Sequence, residues 1–506
     1  MTHGALASLL PLPVIVPIAG AVCAPLAARV DRRLPLALSL VALAGSAFLL
    51  ALAAPTVYGG RLLVHYLGHV TPIGGRSLGI AFAADPFGLT FALAAAAVGA
   101  LLLLFTLSSL RELAARELGL YACLFQLLLA ALIGSALTAD LFNLFVWFEV
   151  AALASYGLTG FFLERPIALE AAFKVLVLTT LASFMIFIGA SLLYADHGAL
   201  NYGQLHAALA GRAQTTDLVA LALLVCGFAT KAGLVPFHAW LVDAHTAAPG
   251  PVSALFSGLM VNLGIVAIAR IALQIYGPDV GRPLLGVLTV AGIVSALLGA
   301  LLALAQDDLK RLLAYDTISQ MGVLAVGVAT ATAPGVAGAT YHLVNHALFK
   351  ALMFLCAGGI VHATGVTKLS EMGGLARRQP GLTAGFLVGV VSIAGIPPLN
   401  GYPSLGLLHE GARSTHPVVY GLLLVAQTIT IAALARAVWL AFLRPRAEPY
   451  ERFDRLHPGM VVALCLLGGT CLAFGVLPAW TLDHLASPAA SGLLHAASYG
   501  PGILAG

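Results

Sequence analysis

The residues best suited to chemistry in this chain are charged side chains inside apolar stretches. The chain has only five lysines, and three of them, Lys174, Lys231 and Lys350, interrupt the runs AAFKVLVLTT, FATKAGLVPF and NHALFKALMF. Glu149 lies in an equally apolar run, LFNLFVWFEVAALASY. A charge at the centre of a bilayer costs roughly 3 kcal/mol or more on insertion scales, and such groups persist where they pair or carry ions. This pattern predicts movement of protons or ions through a membrane.

Composition places the chain in a membrane. Of its 506 residues 60% are hydrophobic and 9% are charged, whereas a soluble domain has about 25% charged residues. The apolar runs are too long and too uniform for barrel strands, which alternate in polarity over about 10 residues. We therefore predict an all-α integral membrane protein and find no strand pattern. The net charge of +4 requires no nucleic-acid partner, and no cofactor or metal motif occurs.

The apolar segments predict about fourteen transmembrane helices, each roughly 20 residues or longer. The predicted ranges are 5–28, 34–57, 84–109, 117–138, 141–163, 166–194, 217–240, 249–275, 283–305, 311–331, 337–363, 382–409, 417–442 and 458–478. The tail 479–506 contains two apolar patches but no clear span. The N-terminal segment lacks a basic region and a clear cleavage site, so we interpret it as the first helix rather than a removed signal.

Basic residues predict the orientation, because cytoplasmic loops are enriched in lysine and arginine. With both termini outside, fifteen basic residues fall in cytoplasmic loops: Arg29, Arg32, Arg33, Arg111, Arg116, Arg165, Lys310, Arg311, Lys368, Arg377, Arg378, Arg444, Arg446, Arg452 and Arg455. Five fall in outer loops: Arg61, Arg76, Arg212, Arg282 and Arg413. The imbalance predicts a multi-pass protein of the prokaryotic inner membrane with both termini outside.

Two segments share a helix-breaking pattern. The seventh predicted helix contains ATKAGLVP and the twelfth contains SIAGIPP, so each has glycine and proline in mid-helix. Proline removes a backbone hydrogen bond and kinks or breaks a helix. The twelfth helix comes five helices after the seventh, so the two segments cross the membrane in opposite directions. This arrangement is typical of transporters with inverted repeats, in which freed backbone groups line an ion site.

Four ordered motifs resemble a known family. They are LFNLFVWFEVAALASYGL, KAGLVPFHAWLVDAHTAAPGPVSAL, DDLKRLLAYDTISQMG and HLVNHALFKALMFLCAGGI. They resemble the antiporter-like membrane subunits of complex I, group 4 membrane-bound hydrogenases and Mrp-type sodium/proton antiporters, and are closest in style to Mrp D and hydrogenase-type subunits. The resemblance implies fourteen helices with two inverted five-helix repeats and broken helices seven and twelve. It also implies four divisions: 1–116 for the first helices, 117–275 and 276–442 for the repeats, and 443–506 for the last helix and tail.

The resemblance implies roles for the charged residues. Glu149 resembles the helix-five glutamate and Lys231 the lysine of broken helix seven, which together form a proton-carrying pair. Lys174 resembles the helix-six lysine that modulates the pair, and His238 is placed to pass protons to the cytoplasmic side. A relay on helix eleven is implied for His342, His346 and Lys350. A structural ion pair or an interfacial anchor is the alternative for each, and Asp85 and Asp140 are predicted to cap helices.

Two positions depart from the family pattern. The family often has a lysine where Asn262 stands, and a terminal lysine or glutamate near Leu405. The nearest ionisable groups to Leu405 are His409 and Glu410. Three alternatives follow. The proton path is rerouted to His409 or Glu410, or protons move only through the first half, or the protein is a partly degenerate subunit that scaffolds a partner.

The function predicted is proton, or proton/sodium, translocation by one membrane subunit of a larger complex. Any redox catalysis lies in partner subunits, because the chain has no redox motif. Two alternatives stay open at this point: a proton-coupled subunit of an inorganic-carbon uptake complex, and a scaffold subunit.

Overall fold

Apolar helices make up most of the structure, a computed structural model that describes residues 2–74, 76–110, 112–211, 213–446, 450 and 453–505. Arg111, Arg212 and Arg452, which contributed to the orientation prediction, lie outside these residues. Thirteen helices in the described part are long and apolar enough to cross a membrane. The predicted all-helical membrane class is confirmed.

In the described part of the first half, ten helices precede the central span and the eleventh begins it. They are α1 (His3–Ser8), α2 (Leu12–Ala27), α3 (Leu34–Tyr58), α4 (Pro86–Ser109), α5 (Ala115–Leu137), α6 (Leu141–Thr159), α7 (Pro166–His197), α8 (Tyr202–Leu209), α9 (Thr215–Ala232), α10 (Ala239–Ala247) and α11 (Gly250–Leu255). A short π-helical segment, Phe256–Met260, joins α11 to α12 (Val261–Ala269), and a second, Arg270–Ile275, follows.

The described part of the second half contains eleven α-helices. Its helices are α13 (Gly277–Ala305), α14 (Leu309–Ala329), α15 (Ala333–Thr364), α16 (Leu375–Arg378), α17 (Pro380–Ile393), α18 (Gly401–Thr415), α19 (Pro417–Val438), α20 (Pro458–Val476), α21 (Pro478–Thr481), α22 (Ser487–Leu494) and α23 (Ala496–Ala505). π-Helical segments extend α19 to Leu443 and join α21 to α22.

One element differs from the sequence prediction. Strands β1 (Leu63–Tyr66) and β2 (Ala81–Ala84) form a small antiparallel hairpin between α3 and α4, in a stretch where no strand pattern was found. Helix twelve, 382–409, for which the resemblance implies a break, consists of α17 and α18, which are 14 and 15 residues long. Each is shorter than the roughly 20 residues that a span requires, which is why thirteen full-length spans are found in the described part instead of fourteen.

The span Gly250–Ile275, formed by α11, α12 and their π-helical segments, is wholly buried inside the protein. A membrane helix without lipid contact must be surrounded by other helices. Glycines allow such close approach elsewhere: a Cβ on Gly322 of α14 would lie 2.5 Å from the backbone nitrogen of Ala296 in α13, and closer still to the Gly292 carbonyl oxygen. Small residues are the usual means of helix packing in lipid, where burial of apolar surface gives no driving force.

The helix breaks lie at glycines with left-handed backbone. α9 ends at Ala232 and Gly233 has φ +71°, whereas Gly395, with φ +69°, follows the end of α17. The indole Nε1 of Trp240 donates to the Thr230 carbonyl at 2.8 Å, so one carbonyl in the last turn of α9 is satisfied by a side chain. The inverted relation of the two halves stays a prediction.

Candidate ion-translocation site

Lys231, which is buried, and Glu149, which is half-buried, form the first group of interior charges. α6 carries Glu149, and the last turn of α9 carries Lys231, two residues before Gly233. Lys231 is 5% exposed. Its Nζ and the Glu149 Oε1 are buried and have no hydrogen-bond partner within the described residues. The two charges interact electrostatically but form no direct ion pair, so each stabilises the other without being locked to it.

A small cavity lies beside Lys231. Ser155 of α6 and Thr179 of α7 contribute polar atoms to it, and Phe148 and Met260 are among its apolar walls. Its free volume is about 10 Å³, close to the minimum that one water molecule needs. Lys231, Ser155 and Thr179 are the polar residues of its lining. The Ser155 hydroxyl donates to the Ala152 carbonyl at 2.7 Å, and the Thr179 hydroxyl is 2.7 Å from the Tyr156 hydroxyl. The cavity therefore has room for at most one water.

Asn262 lies at the centre of the buried span and connects the two halves. Its Nδ2 donates to the Gly258 carbonyl at 2.7 Å and to the Leu343 carbonyl of α15 at 3.1 Å. The side chain is fully buried, and Oδ1 has no partner among the described residues. An amide in this position can accept a hydrogen bond from a water or a protonated group but carries no net charge itself.

The predicted histidine relay lies on one face of α15. His342 Nδ1 is 3.0 Å from Ser404 Oγ of α18, and its Nε2 is 3.0 Å from Gln320 Oε1 of α14. Because an amide oxygen only accepts, Nε2 carries the hydrogen in this arrangement. His346 lies one turn further, with a ring-centre separation of 6.5 Å from His342. Both His346 nitrogens are buried and have no partner within the described part.

Lys350, four residues after His346 on α15, pairs with a carboxylate. Its Nζ donates to Asp316 Oδ2 of α14 and to the Leu313 carbonyl, the latter at 3.0 Å. Both side chains are almost completely buried. His245 of α10 interacts electrostatically with Lys350. Its ring stacks on the Phe354 ring, with ring centres 4.7 Å apart. No role was predicted for Asp316 or His245, although both lie inside the motifs that carry the resemblance.

Leu405, one of the two positions that depart from the family pattern, lies on α18 after the second helix break, together with His409 and Glu410. Leu405 is 3% exposed and packs beside Gly395. His409, one turn along α18, faces the Tyr420 ring at 5.8 Å and interacts electrostatically with His342. Glu410 is exposed and pairs with Arg413 on the same helix at 3.1 Å.

Lys174 and His238 lie outside the two buried charge groups. Lys174 is 46% exposed and pairs with Glu170 at 2.7 Å and with Asp243 of α10 at 3.0 Å. His238 is half-buried and directly precedes α10. The structure therefore places Lys174 in a surface ion pair. Asp243, its partner, was not predicted, because nothing in the sequence shows that α7 and α10 are adjacent.

A further buried pair joins Asp85 to Arg270. The Arg270 guanidinium contacts Asp85 through Nη2–Oδ1 at 2.7 Å and Nη1–Oδ2 at 3.2 Å. Asp85 also accepts the Gly88 N–H at 2.9 Å and so caps α4, and Asp140 caps α6 in the same way. Arg270 is held by the Gln274 side chain at 2.7 Å and the Ala136 carbonyl at 3.0 Å. We interpret this pair as a structural ion pair, because its polar neighbours hold both side chains in place.

Comparisons with known proteins agree with the motifs. The family described as "NADH:quinone oxidoreductase/Mrp antiporter, TM" matches residues 138–430. The N subunit of the NADH-quinone oxidoreductase of Desulforudis audaxviator is 33% identical over 459 residues, 88% of each chain. The D subunit of the Na+/H+ antiporter of Alkalihalophilus pseudofirmus is 34% identical over 367 residues, 72% of this chain and 73% of that one. A chain of the Mrp complex of Dietzia sp. DQ12-45-1b has TM-score 0.88 and 26% identity, with 100% of both chains covered.

Proposed function

Because the chain belongs to the NADH:quinone oxidoreductase/Mrp antiporter family of transmembrane subunits, we propose that it translocates protons, with or without exchange for sodium, as one subunit of a multisubunit membrane complex. The resemblance found in the sequence is thereby confirmed. The observation that carries the proposal is the pairing of Lys231, which is buried at a helix break, with the half-buried Glu149, because the Lys231 Nζ and the Glu149 Oε1 are buried without hydrogen-bond partners within the described residues.

The pair works by changing the stability of the Lys231 ammonium. A buried ammonium is disfavoured by desolvation and stabilised by a nearby negative charge. When the Glu149 carboxylate is close, Lys231 holds its proton; when Glu149 is neutralised or turns away, Lys231 releases the proton to the water site beside Ser155 and Thr179. The proton then moves toward Asn262 and the histidines of α15.

The outlet of the second half is proposed at His409. It replaces the charge that the family has near Leu405, one helical turn away on α18. His409 is half-buried and interacts electrostatically with His342, whereas Glu410 faces outward and is neutralised by Arg413. Glu410 is then a surface group at the mouth of the path. Lys174 and His238 take supporting roles in this scheme, Lys174 through Asp243 and His238 at the start of α10.

A second candidate is flux confined to the first half. The uncharged Asn262 between the halves favours it, because an amide cannot store a proton for transfer. Such a subunit would suit proton-coupled transport by a partner, and inorganic-carbon uptake stays one form of this prediction.

We also propose that the protein lies in a prokaryotic inner membrane with both termini outside. The concentration of basic residues in the loops on one side supports this orientation.

The test uses membrane vesicles that contain the complete complex and a pH-sensitive dye. We expect Glu149→Gln and Lys231→Ala each to reduce proton movement to the level of vesicles without the complex, with normal membrane insertion. Matched controls are Glu371→Gln and Lys368→Ala, which break an exposed pair at 3.1 Å and should leave flux unchanged. Wild-type flux in both buried variants would refute the proposal.

A further inference from the structure

Asp316 and Lys350 form a second acid–base pair in the buried interior. The carboxylate belongs to α14 and the ammonium to α15, and both side chains are almost inaccessible to solvent. The Lys350 ammonium also donates to the Leu313 carbonyl at 3.0 Å. Asp316 Oδ1 is buried and has no partner among the described residues. The carboxylate therefore keeps one free oxygen in the protein interior, where an unpaired polar atom is costly.

The surroundings of the pair contain an acceptor for its proton. His342, His346 and Lys350 are spaced by four residues and so lie on one face of α15. His346 is fully buried with both ring nitrogens unpartnered in the described part, and Lys350 acts on it electrostatically. His245 approaches Lys350 from α10. A neutral imidazole can accept a proton, so the pair is next to a group that can relay it.

Asp316 and Glu149 lie at similar depths in their helices. α6 and α14 each begin after a capping aspartate, Asp140 and Asp308. Glu149 follows its cap by nine residues and Asp316 by eight, so the two carboxylates are one residue out of register, about 100° apart around the helix. Each capping residue also forms a backbone bridge to the chain beyond the next helix, Asp140 to Asn201 and Asp308 to Lys368. The intervening helices α7 and α15 have 32 residues each. The second half thus has a carboxylate at a depth similar to that of Glu149, but on a neighbouring face of its helix.

From these observations we propose that Asp316 and Lys350 form the charge-switching pair of the second half, replacing the charges that are absent at Asn262 and Leu405. The inference rests on the proposed proton flux. In the step, a Lys350 N–H bond breaks and the proton bonds to a His346 ring nitrogen. Ammonium and neutral imidazole become amine and imidazolium, and the Asp316 carboxylate keeps its charge. Movement of the Lys350 ammonium away from Asp316 favours the step, because the ammonium loses the carboxylate that stabilises it.

The competing explanation is a purely structural ion pair. Removal of one partner cannot distinguish the two explanations, because it leaves an uncompensated buried charge in either case. The double variant Asp316→Asn/Lys350→Met distinguishes them, because it removes both charges and retains similar side-chain sizes. In vesicles with the complete complex, we expect normal assembly and a loss of flux of roughly a hundredfold, the scale of a general acid–base group. Flux above half of wild type would overturn the proposal.

A conservative variant covers the case in which the double variant does not assemble. Asp316→Glu retains the negative charge but changes its reach, so the pH dependence of flux should shift if the pair carries protons. A pH profile identical to that of the wild type would overturn the proposal. Glu149→Gln is measured in parallel: wild-type flux in that variant refutes the general function, whereas flux lost there and kept in the double variant refutes only the role of Asp316.

Discussion

The Asp85–Arg270 pair allows a prediction of stability. Arg270→Met removes a fully buried guanidinium and leaves the Asp85 carboxylate without its cation. The guanidinium donates two hydrogen bonds to Asp85, one to Gln274 and one to the Ala136 carbonyl, and methionine can form none of them. Removal of one partner of a buried pair costs roughly 3–5 kcal/mol. Since 1.4 kcal/mol is about a factor of ten, the folded population should fall by about two to three and a half powers of ten relative to the unfolded one.

The measurement is the disappearance of monodisperse protein on heating in detergent, followed by size-exclusion chromatography with fluorescence detection. The double variant Arg270→Met/Asp85→Ser should recover most of the stability, because it removes the orphaned charge and serine still caps α4. Arg282→Met is the control, since Arg282 pairs with Asp279 on an exposed surface. Equal midpoints for Arg270→Met and Arg282→Met would show that the buried pair contributes no net stability and refute the reasoning.

Two further predictions concern the outlet and the helix packing. His409→Leu should reduce proton flux at least as much as Lys231→Ala reduces it, while Glu410→Gln leaves it nearly unchanged; the same vesicle assay decides, and the opposite ranking would place the outlet at Glu410. Gly322→Ala should destabilise the protein by about 1–3 kcal/mol through overpacking, because its Cβ would collide with the backbone of α13. Gly406→Ala meets nothing within 4 Å and should melt like the wild type, so equal destabilisation of both variants would contradict the packing argument.

Much of the architecture could be predicted because the bilayer imposes a length and a polarity on each helix. The helix with Glu149 and the break after Lys231 follow from local composition, glycine and proline. The β1–β2 hairpin could not be predicted in this way, since its strands have four residues each and no alternation long enough to detect. The division of helix twelve shows the same limit: the sequence shows a proline pair there but not how many residues remain on each side.

The charged groups were only partly predictable, because hydropathy shows that a charge is buried but not what it faces. Lys174 and Lys350 look alike in the sequence, each in an apolar run. In the structure Lys174 reaches the surface and pairs with Asp243, whereas Lys350 is fully enclosed and pairs with Asp316. The difference depends on which neighbouring helix supplies the carboxylate, and that is set by packing between segments 69 and 34 residues apart, respectively.

The backbone bridges at Asp140 and Asp308 have a mechanical consequence. Each bridge ties the first residue of one helix to the segment that follows the next, with Leu141 N–H donating to the Leu200 carbonyl at 2.8 Å and Leu309 N–H to the Thr367 carbonyl at 3.0 Å. α6 is thereby latched to α7, and α14 to α15, at one end. Latched helices can tilt or twist but cannot slide past one another. Separation of Asp316 from Lys350 must then come from side-chain rotation or from tilting or twisting of the helices, and side-chain rotation needs less time than a movement of whole helices.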